Sequence, residues 1–282
     1  MKRAESTIKL AHATGESMEE VSNWMTAIWN NFDDGSKSLE YYGDVLAKLG
    51  AETASSADEI AQGLEKFAAV ADTVGLSYEY AASALATVTA ETRQSADVVG
   101  TAFKTLFARM EGLKLGETLD DGTTLNQYSL ALETVGVDIK TVNGEMKDMD
   151  TILDETALKW NTLSKDQQIA LAQSVAGVRQ YTQFIALMDN YDVMQNNLES
   201  TRAAAGELEN MQGIYEESIE GLKEKFGTAK EELISSLVDE DSIKNFYKAM
   251  NGIMNFAGKL TKAFGGLEGI LLMAASALTK MY

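Results

Sequence analysis

Apolar residues recur along this chain at helical intervals. Val21, Met25 and Ile28 form one set, Ile60, Leu64 and Phe67 a second, and Val99, Phe103 and Leu106 a third. Steps of four and then three residues lay each set as a stripe along one helix face. Polar start signals stand in the same register ahead of each stripe. Ser17 with Glu20 and Ser56 with Glu59 are capping-box pairs, and Ser95 keeps the cap serine alone. The three serines fall at a constant interval of 39 residues. A second helix fills each unit: "SLEYYGDVLAKL" from Ser38 and "SYEYAASALATV" from Ser77 share Ser38/Ser77, Glu40/Glu79, Tyr41/Tyr80 and Leu46/Leu85. In the third unit the counterpart, "LALETVG" from Leu130 to Gly136, arrives late, so the glycine-bounded stretch Gly116 to Gly122 reads as an insertion. Helical pairs near 40 residues are the signature of stacked αα-hairpins, whose units bury their stripes only against one another. The expected fold is mainly α, with a lead-in helix over 1–16 and αα-hairpin repeats over 17–136.

The pattern changes over 137–192. "VDIKTVNGEMKDM" centres on Asn143-Gly144, a strong two-residue hairpin signal with positive φ at both positions. A small β-hairpin is expected there, with a bare loop as the alternative. "DTILDETALKWNTL" predicts a helix that turns Ile152 or Leu153, Ala157, Trp160 and Leu163 inward. "SKDQQIALAQSVAGVRQY" opens on the capping box Ser164/Gln167 and places Ala172, Ala176 and Gly177 on one small face. That face would let another backbone approach. Arg179 and Gln180 would then reach past it to carbonyls, or to carboxylates such as Asp148, Asp150 or Asp154.

From Leu198 the spacing becomes heptad-like: Leu198, Ala205, Leu208, Tyr215, Ile219, Leu222, Phe226, Ala229, Leu233 and Leu237. A long helical arm is expected over 193–266, breaking at Asp239-Glu240-Asp241 and resuming at Ser242. The second stripe runs Ile243, Phe246, Met250, Ile253, Ala257, Leu260 and Phe264. Residues 267–282 open an apolar stretch, "LEGILLMAASAL", shorter than the roughly 18 residues a membrane span needs. Its position predicts that the sequence is a segment of a longer protein.

Composition sharpens the helical reading. The 282 residues contain no proline, against average usage of about 5%, and proline interrupts helix interiors. No cysteine is present, which excludes disulfides and thiolate-bound metal. The net charge of −19 makes anionic membrane surfaces and nucleic-acid backbones poor partners for the chain as a whole. Met1-Lys2-Arg3 is not followed by the apolar run of a secretory leader.

Candidate chemistry is sparse. His12 is the sole histidine; alone it anchors neither a metal cluster nor a Ser-His-Asp arrangement, and a solvated role is expected. No Gly-rich phosphate loop occurs. The acidic turns Asp33-Asp34-Gly35 and Asp120-Asp121-Gly122 fail the calcium-loop pattern, because Phe32 and Leu119 fall where ligands belong. Tyr41, Tyr42, Trp24 and Trp29 read as packing. No catalytic, cofactor-binding or metal-ligating residue is singled out, no cofactor is expected, and no enzyme is predicted.

One long run is more specific. "ALETVGVDIKTVNGEMKDMDTILDETALKWNTLSKDQQIALAQSVAGVRQYTQFIALMDNYD", Ala131 to Asp192, resembles the core of the bacteriophage tail tape-measure protein family. Its elements are "VGV-I" at Val135 to Ile139, "NGE" at Asn143 to Glu145, "D-D-IL-E-A-KW" at Asp148 to Trp160, "LS--QQ-A" at Leu163 to Ala170, and "AG-RQ---F-ALM-NYD" at Ala176 to Asp192. "SADVVGTAFKTLFARMEGL" upstream is similar to the same family, and the resemblance covers Ser56 to Phe226. It implies a structural protein of the tail interior that acts as a molecular ruler at about 1.5 Å per helical residue and assists passage of the genome. It implies tail tube and tail-tip or baseplate proteins as partners, and self-association, with three chains expected along Leu198 to Leu237. It also implies a place inside the virion tail, with assembly in the host cytoplasm, membrane contact through regions beyond this chain, and no sequence-specific nucleic-acid binding. Family members are far longer, and this length alone cannot gauge a whole tail. The resemblance carries no catalytic residues, and the peptidoglycan-cleaving domains of some members are absent from the sequence. A helical-repeat adaptor and a membrane-active helical protein are the alternatives.

Overall fold

The computed structural model describes residues 2–114, 118–119, 122–217, 221, 224 and 227–228. The chain divides into two compact units, Met1–Met211 and Gln212–Tyr282. Among the described residues the chain is mainly helical. The helices are α1 (Lys2–Thr14), α2 (Met18–Phe32), α3 (Leu39–Glu52), α4 (Ala57–Thr73), α5 (Tyr78–Thr92), α6 (Ala96–Lys114), α7 (Leu125–Glu133), α8 (Met149–Trp160), α9 (Lys165–Ala176), α10 (Tyr181–Asp189), α11 (Tyr191–Thr201) and α12 (Glu207–Glu217). None is long and apolar enough to cross a membrane.

The start signals sit where helices begin. Ser17 Oγ accepts the amide of Glu20 at 3.2 Å, and Ser38 and Ser77 accept those of Tyr41 and Tyr80 at 3.2 Å each. Ser95 accepts weakly from Val98 at 3.4 Å. All nine residues of the three stripes are at most 2% exposed. The stripes meet because α4 packs between α2 and α6. At the α4–α6 crossing two glycines let the backbones touch: a Cβ on Gly100 would lie 2.5 Å from the carbonyl oxygen of Gly63. Phe103 stands edge-on to Phe67, with ring centroids 5.5 Å apart, and Phe107 closes the cluster.

Helix α5 is buried on every side. Tyr78 and Tyr80 to Thr89 are all enclosed, with α3, α4, α6, α10 and α11 around it. Ala, Ser and Thr fill most of these positions, so five neighbours can approach one helix closely.

Three expectations change. The β-hairpin is absent, and the described residues contain no strands. Residues 139–147 close a turn with one isolated bridge, Lys140 to Met146. Gly144 N–H donates to Thr141 C=O at 2.9 Å and Thr141 N–H to Glu145 C=O at 2.8 Å. Gly144 has φ +83° but Asn143 does not have positive φ, so this is a three-residue loop with a glycine bulge rather than a two-residue hairpin turn. The flanks are too short to carry a ladder.

The continuous heptad from Leu198 is also interrupted. After α11 the amides of Arg202, Ala203 and Ala204 bond three residues back, to Glu199, Ser200 and Thr201, and Gly206 takes φ +85°. Ala205, expected inward, is exposed, and Ala204 is buried instead. Packing of Ala204 and Leu208 overrides the heptad register. The remainder of the arm from 229 onward, with the stretch Leu267 to Leu278, lies outside the described residues.

The third change concerns Gly177. It does not lie inside a helix; it ends α9 at φ +79°, its amide bonded to Gln173 C=O.

Candidate functional site

The signature segments converge on α8, α10 and α11. Ile152, Leu153 and Trp160 are all buried, so both of the alternative inward residues face the core. Around them runs a set of polar links between helices. Trp160 Nε1–H donates to Asp189 Oδ1 at 2.6 Å. Gln168 Nε2 donates to Trp160 C=O at 2.9 Å, Gln183 Nε2 to Gln94 Oε1 at 2.8 Å, and Asn197 Nδ2 to Thr87 Oγ1 at 2.9 Å. Tyr191 O–H donates to Asp154 Oδ1, the Tyr80 and Tyr191 hydroxyls bond each other, and Gln195 Nε2 adds a bond to Asp154 at 3.0 Å.

Beside Asp154 lies a cleft of ≈360 Å³. Asp189 and Asp192 line it together with the buried Met188 and Tyr191 and with Leu158, which is 79% exposed. Burial, reinforced by the neighbouring carboxylate, holds the Tyr191 hydroxyl far above the ordinary phenol range; burial with the adjacent Tyr191 does the same for Tyr80. Both phenols therefore stay neutral and act as hydrogen-bond donors. Asp154 already accepts from its neighbours, and Asp189 is engaged by the indole and faces Lys165 at 3.8 Å. The arrangement ties helices together beside a cleft lined by carboxylates and apolar side chains.

A second cleft, ≈270 Å³, lies where α2, α3 and α5 meet. Tyr41 O–H donates to Glu79 Oε1 at 2.5 Å, Tyr42 O–H to Phe32 C=O at 2.9 Å and Tyr78 O–H to Tyr42 C=O at 2.6 Å. Burial, with Asp33 and Asp34 nearby, pushes Tyr42 up to about 12. Asp33 and Asp34 accept the amides of Gly35 and Ser36 at 3.1 and 2.8 Å, forming the turn the sequence predicts. The Ser36 bonds lower the Asp34 carboxyl below its usual range. Asp120 and Asp121 lie outside the described residues. Trp24, Trp29 and Tyr42 are buried in the core and Tyr41 packs partly against it. His12 is half-buried on α1. Among the described residues, no group of three or more His, Cys, Asp or Glu is placed to hold a metal ion.

Arg179 does not do what its position suggests. It is exposed, and the small face is approached instead by Arg109 of α6. Arg109 Nε donates to Val175 C=O at 3.3 Å and Nη2 to Ser174 C=O at 3.4 Å. A Cβ on Gly177 would lie 3.2 Å from Nη1. Arg109 thus caps the C-terminus of α9, where a cation is favoured by the helix dipole. The sequence carries Arg109 in "FARMEGL" with no local signal for this role, because its partners lie 65 and 66 residues away. Asp154 is reached by Tyr191 and Gln195 rather than by Arg179 or Gln180.

The geometry is that of a helical body closed by buried polar links. No solved structure matches the chain. A family model described as phage-related minor tail protein matches residues 1–177. That span is more than half of the 282 residues, and the chain belongs to the phage-related minor tail protein family.

Proposed function

We propose that this structural tail protein is a segment of a tape-measure protein, which sets tail length during assembly and assists delivery of the genome. The observation that carries the reading is the run Ala131 to Asp192, set in a mainly helical chain of a minor tail family. On this reading the protein works inside the tail tube, with tube and tail-tip or baseplate proteins as partners and further copies of itself alongside. The division into αα-hairpin repeats over 17–136, a signature segment over 137–192 and an arm over 193–266 belongs to the same proposal. It is supported by the 39-residue register of the helix starts. The compact packing of Met1–Met211 supports assigning the ruler role to other segments of the full-length protein.

The test is an insertion. A continuous helical block of about 40 residues placed after Glu217 lengthens the tail by roughly 60 Å, at 1.5 Å per residue. Tail lengths are read from electron micrographs of phage particles. Normal infectious tails of unchanged length would reject the ruler and leave a minor tail protein of another kind.

A further inference from the structure

Helix α12 lacks a cap of its own. Its N-cap position is Gly206, which has no side chain, and the amide of the second helical residue, Leu208, would ordinarily be taken by an N-cap oxygen. Asp44 of α3 supplies it. Asp44 Oδ1 accepts Leu208 N–H at 3.0 Å and Oδ2 accepts Gly206 N–H at 3.1 Å, across more than 160 residues of sequence. Asp44 is buried, only 8% exposed as a residue, so these bonds form with little competition from water. A carboxylate at a helix N-terminus also meets the positive end of the helix dipole.

Two further contacts fasten the same point. Leu208 is 2% exposed and lies over Gly43, where a Cβ would meet Leu208 Cδ2 at 2.7 Å. Lys9 Nζ of α1 reaches Glu209 at 2.5 Å and lies 3.8 Å from both Glu40 and Glu5. Glycine at 43 is therefore a seat for Leu208, and Asp44 beside it is the clasp.

We propose that Asp44, reaching from α3, is the N-cap that nucleates α12, making the helical first turn at Glu207–Met211 conditional on the folded α1–α3 face. An isolated eleven-residue helix is marginal in water because nucleation is costly. Pre-placed acceptors remove part of that cost. The device is a latch: losing the Asp44 bonds loosens the first turn of α12 while the α2–α4–α6 core stays closed.

The experiment is hydrogen exchange, followed by mass spectrometry, on the full chain. In Asp44→Ala the peptides covering 204–211 exchange about tenfold faster or more, as expected for losing charge-assisted bonds, while α4 and α6 keep wild-type protection. Asp44→Asn, which retains an acceptor oxygen, falls between. Leu208→Ala loosens the same peptides through packing alone. Unchanged exchange over 204–211 in a folded Asp44→Ala overturns the proposal. So does a loss of protection across α4 and α6 in both Asp44→Ala and Asp44→Asn, because Asp44 would then serve the whole core rather than the latch. If Asp44→Ala does not fold, Asp44→Asn decides between the same two outcomes.

Discussion

Helices α2, α4 and α6 and helices α8 to α11 share one hydrophobic core but are fastened by different means. The first set meets through long apolar stripes and the Phe67–Phe103–Phe107 cluster, with two glycines at the closest crossing. The second set consists of short helices of nine to twelve residues, joined through an indole, amides, hydroxyls and carboxylates. Burial of apolar surface is non-directional and roughly proportional to area, so the first region tolerates reshaping as long as volume is kept. Buried hydrogen bonds depend on geometry, and a lone partner left behind costs more than the bond contributed. The two regions should fail in different ways.

The largest effect is expected in the stripe. Phe103→Ala removes a fully buried ring between Phe67 and Phe107 and leaves a cavity, costing about 3–5 kcal/mol. Urea denaturation measures it. Phe103→Leu, which restores most of the volume, recovers much of the loss. Equal loss in both variants would break the contrast, because it would make the stripe as geometry-dependent as the polar links.

In the second region Asp189→Ala strands the buried Trp160 N–H and costs about 1–3 kcal/mol. Trp160→Phe removes the donor along with part of the ring. The double variant costs less than the sum of the two, a coupling that a double-mutant cycle reads directly. Strict additivity would mean that the 2.6 Å bond contributes nothing, and the contrast with the stripe would fall.

Alkaline pH attacks the polar links without mutation. The hydroxyls of Tyr80 and Tyr191 have folded-state values raised above the ordinary value near 10, mainly by burial. A raised value in the folded state means the unfolded chain loses protons first. Stability is then fully present below the ordinary tyrosine value and is lost as pH climbs through the raised ones. Urea midpoints should hold steady through neutral pH and fall above about pH 10. Tyr191→Phe should flatten that fall, and an unchanged slope would remove the Tyr80–Tyr191 pair as its cause.

The same contrast explains what could be read in advance. Val21, Ile60 and Val99 announce their helix faces because each stripe is local, repeating within a few residues. Ser17, Ser38 and Ser77 announce starts for the same reason. The all-round burial of α5 was less visible: small residues at Ala81, Ala84 and Ala86 match an ordinary amphipathic helix until five neighbours are known to surround it. Asn143-Gly144 named a turn correctly but not its type, because the choice between two- and three-residue loops is made by the flanking pairings. Arg109 on α9 and Asp44 on α12 were illegible, since each serves a helix end far along the chain. The heptad from Leu198 failed at Ala205, where docking of Leu208 on Gly43 outweighed a continuous register. Of the candidate site, the acidic turn at Asp33-Asp34 and the packing aromatics were legible; the polar links of Asp154 and Asp189 were not.

The smallest expected effect tests whether a stripe makes a cap redundant. Ser164 and Gln167 bond reciprocally, Ser164 N–H to Gln167 Oε1 at 2.9 Å and Gln167 N–H to Ser164 Oγ at 3.3 Å. Ser95 has one long bond, from Val98 N–H at 3.4 Å, and valine returns nothing. Ser164→Ala should cost about 1 kcal/mol, within the range for cap removal, and Ser95→Ala less than the roughly 0.5 kcal/mol at the bottom of that range. Helix α6 is held by Val99, Phe103 and Leu106 whether or not its first turn is capped. Helix α9 buries only Leu171, Ala172, Val175, Ala176 and Gln168, so its start depends more on local bonds. Hydrogen exchange at the first turn of each helix separates the two: faster exchange in α9 of Ser164→Ala, with little change in α6 of Ser95→Ala. The reverse order would show that the stripe of α6 does not hold its first turn, and that start signals matter equally in both halves of the molecule.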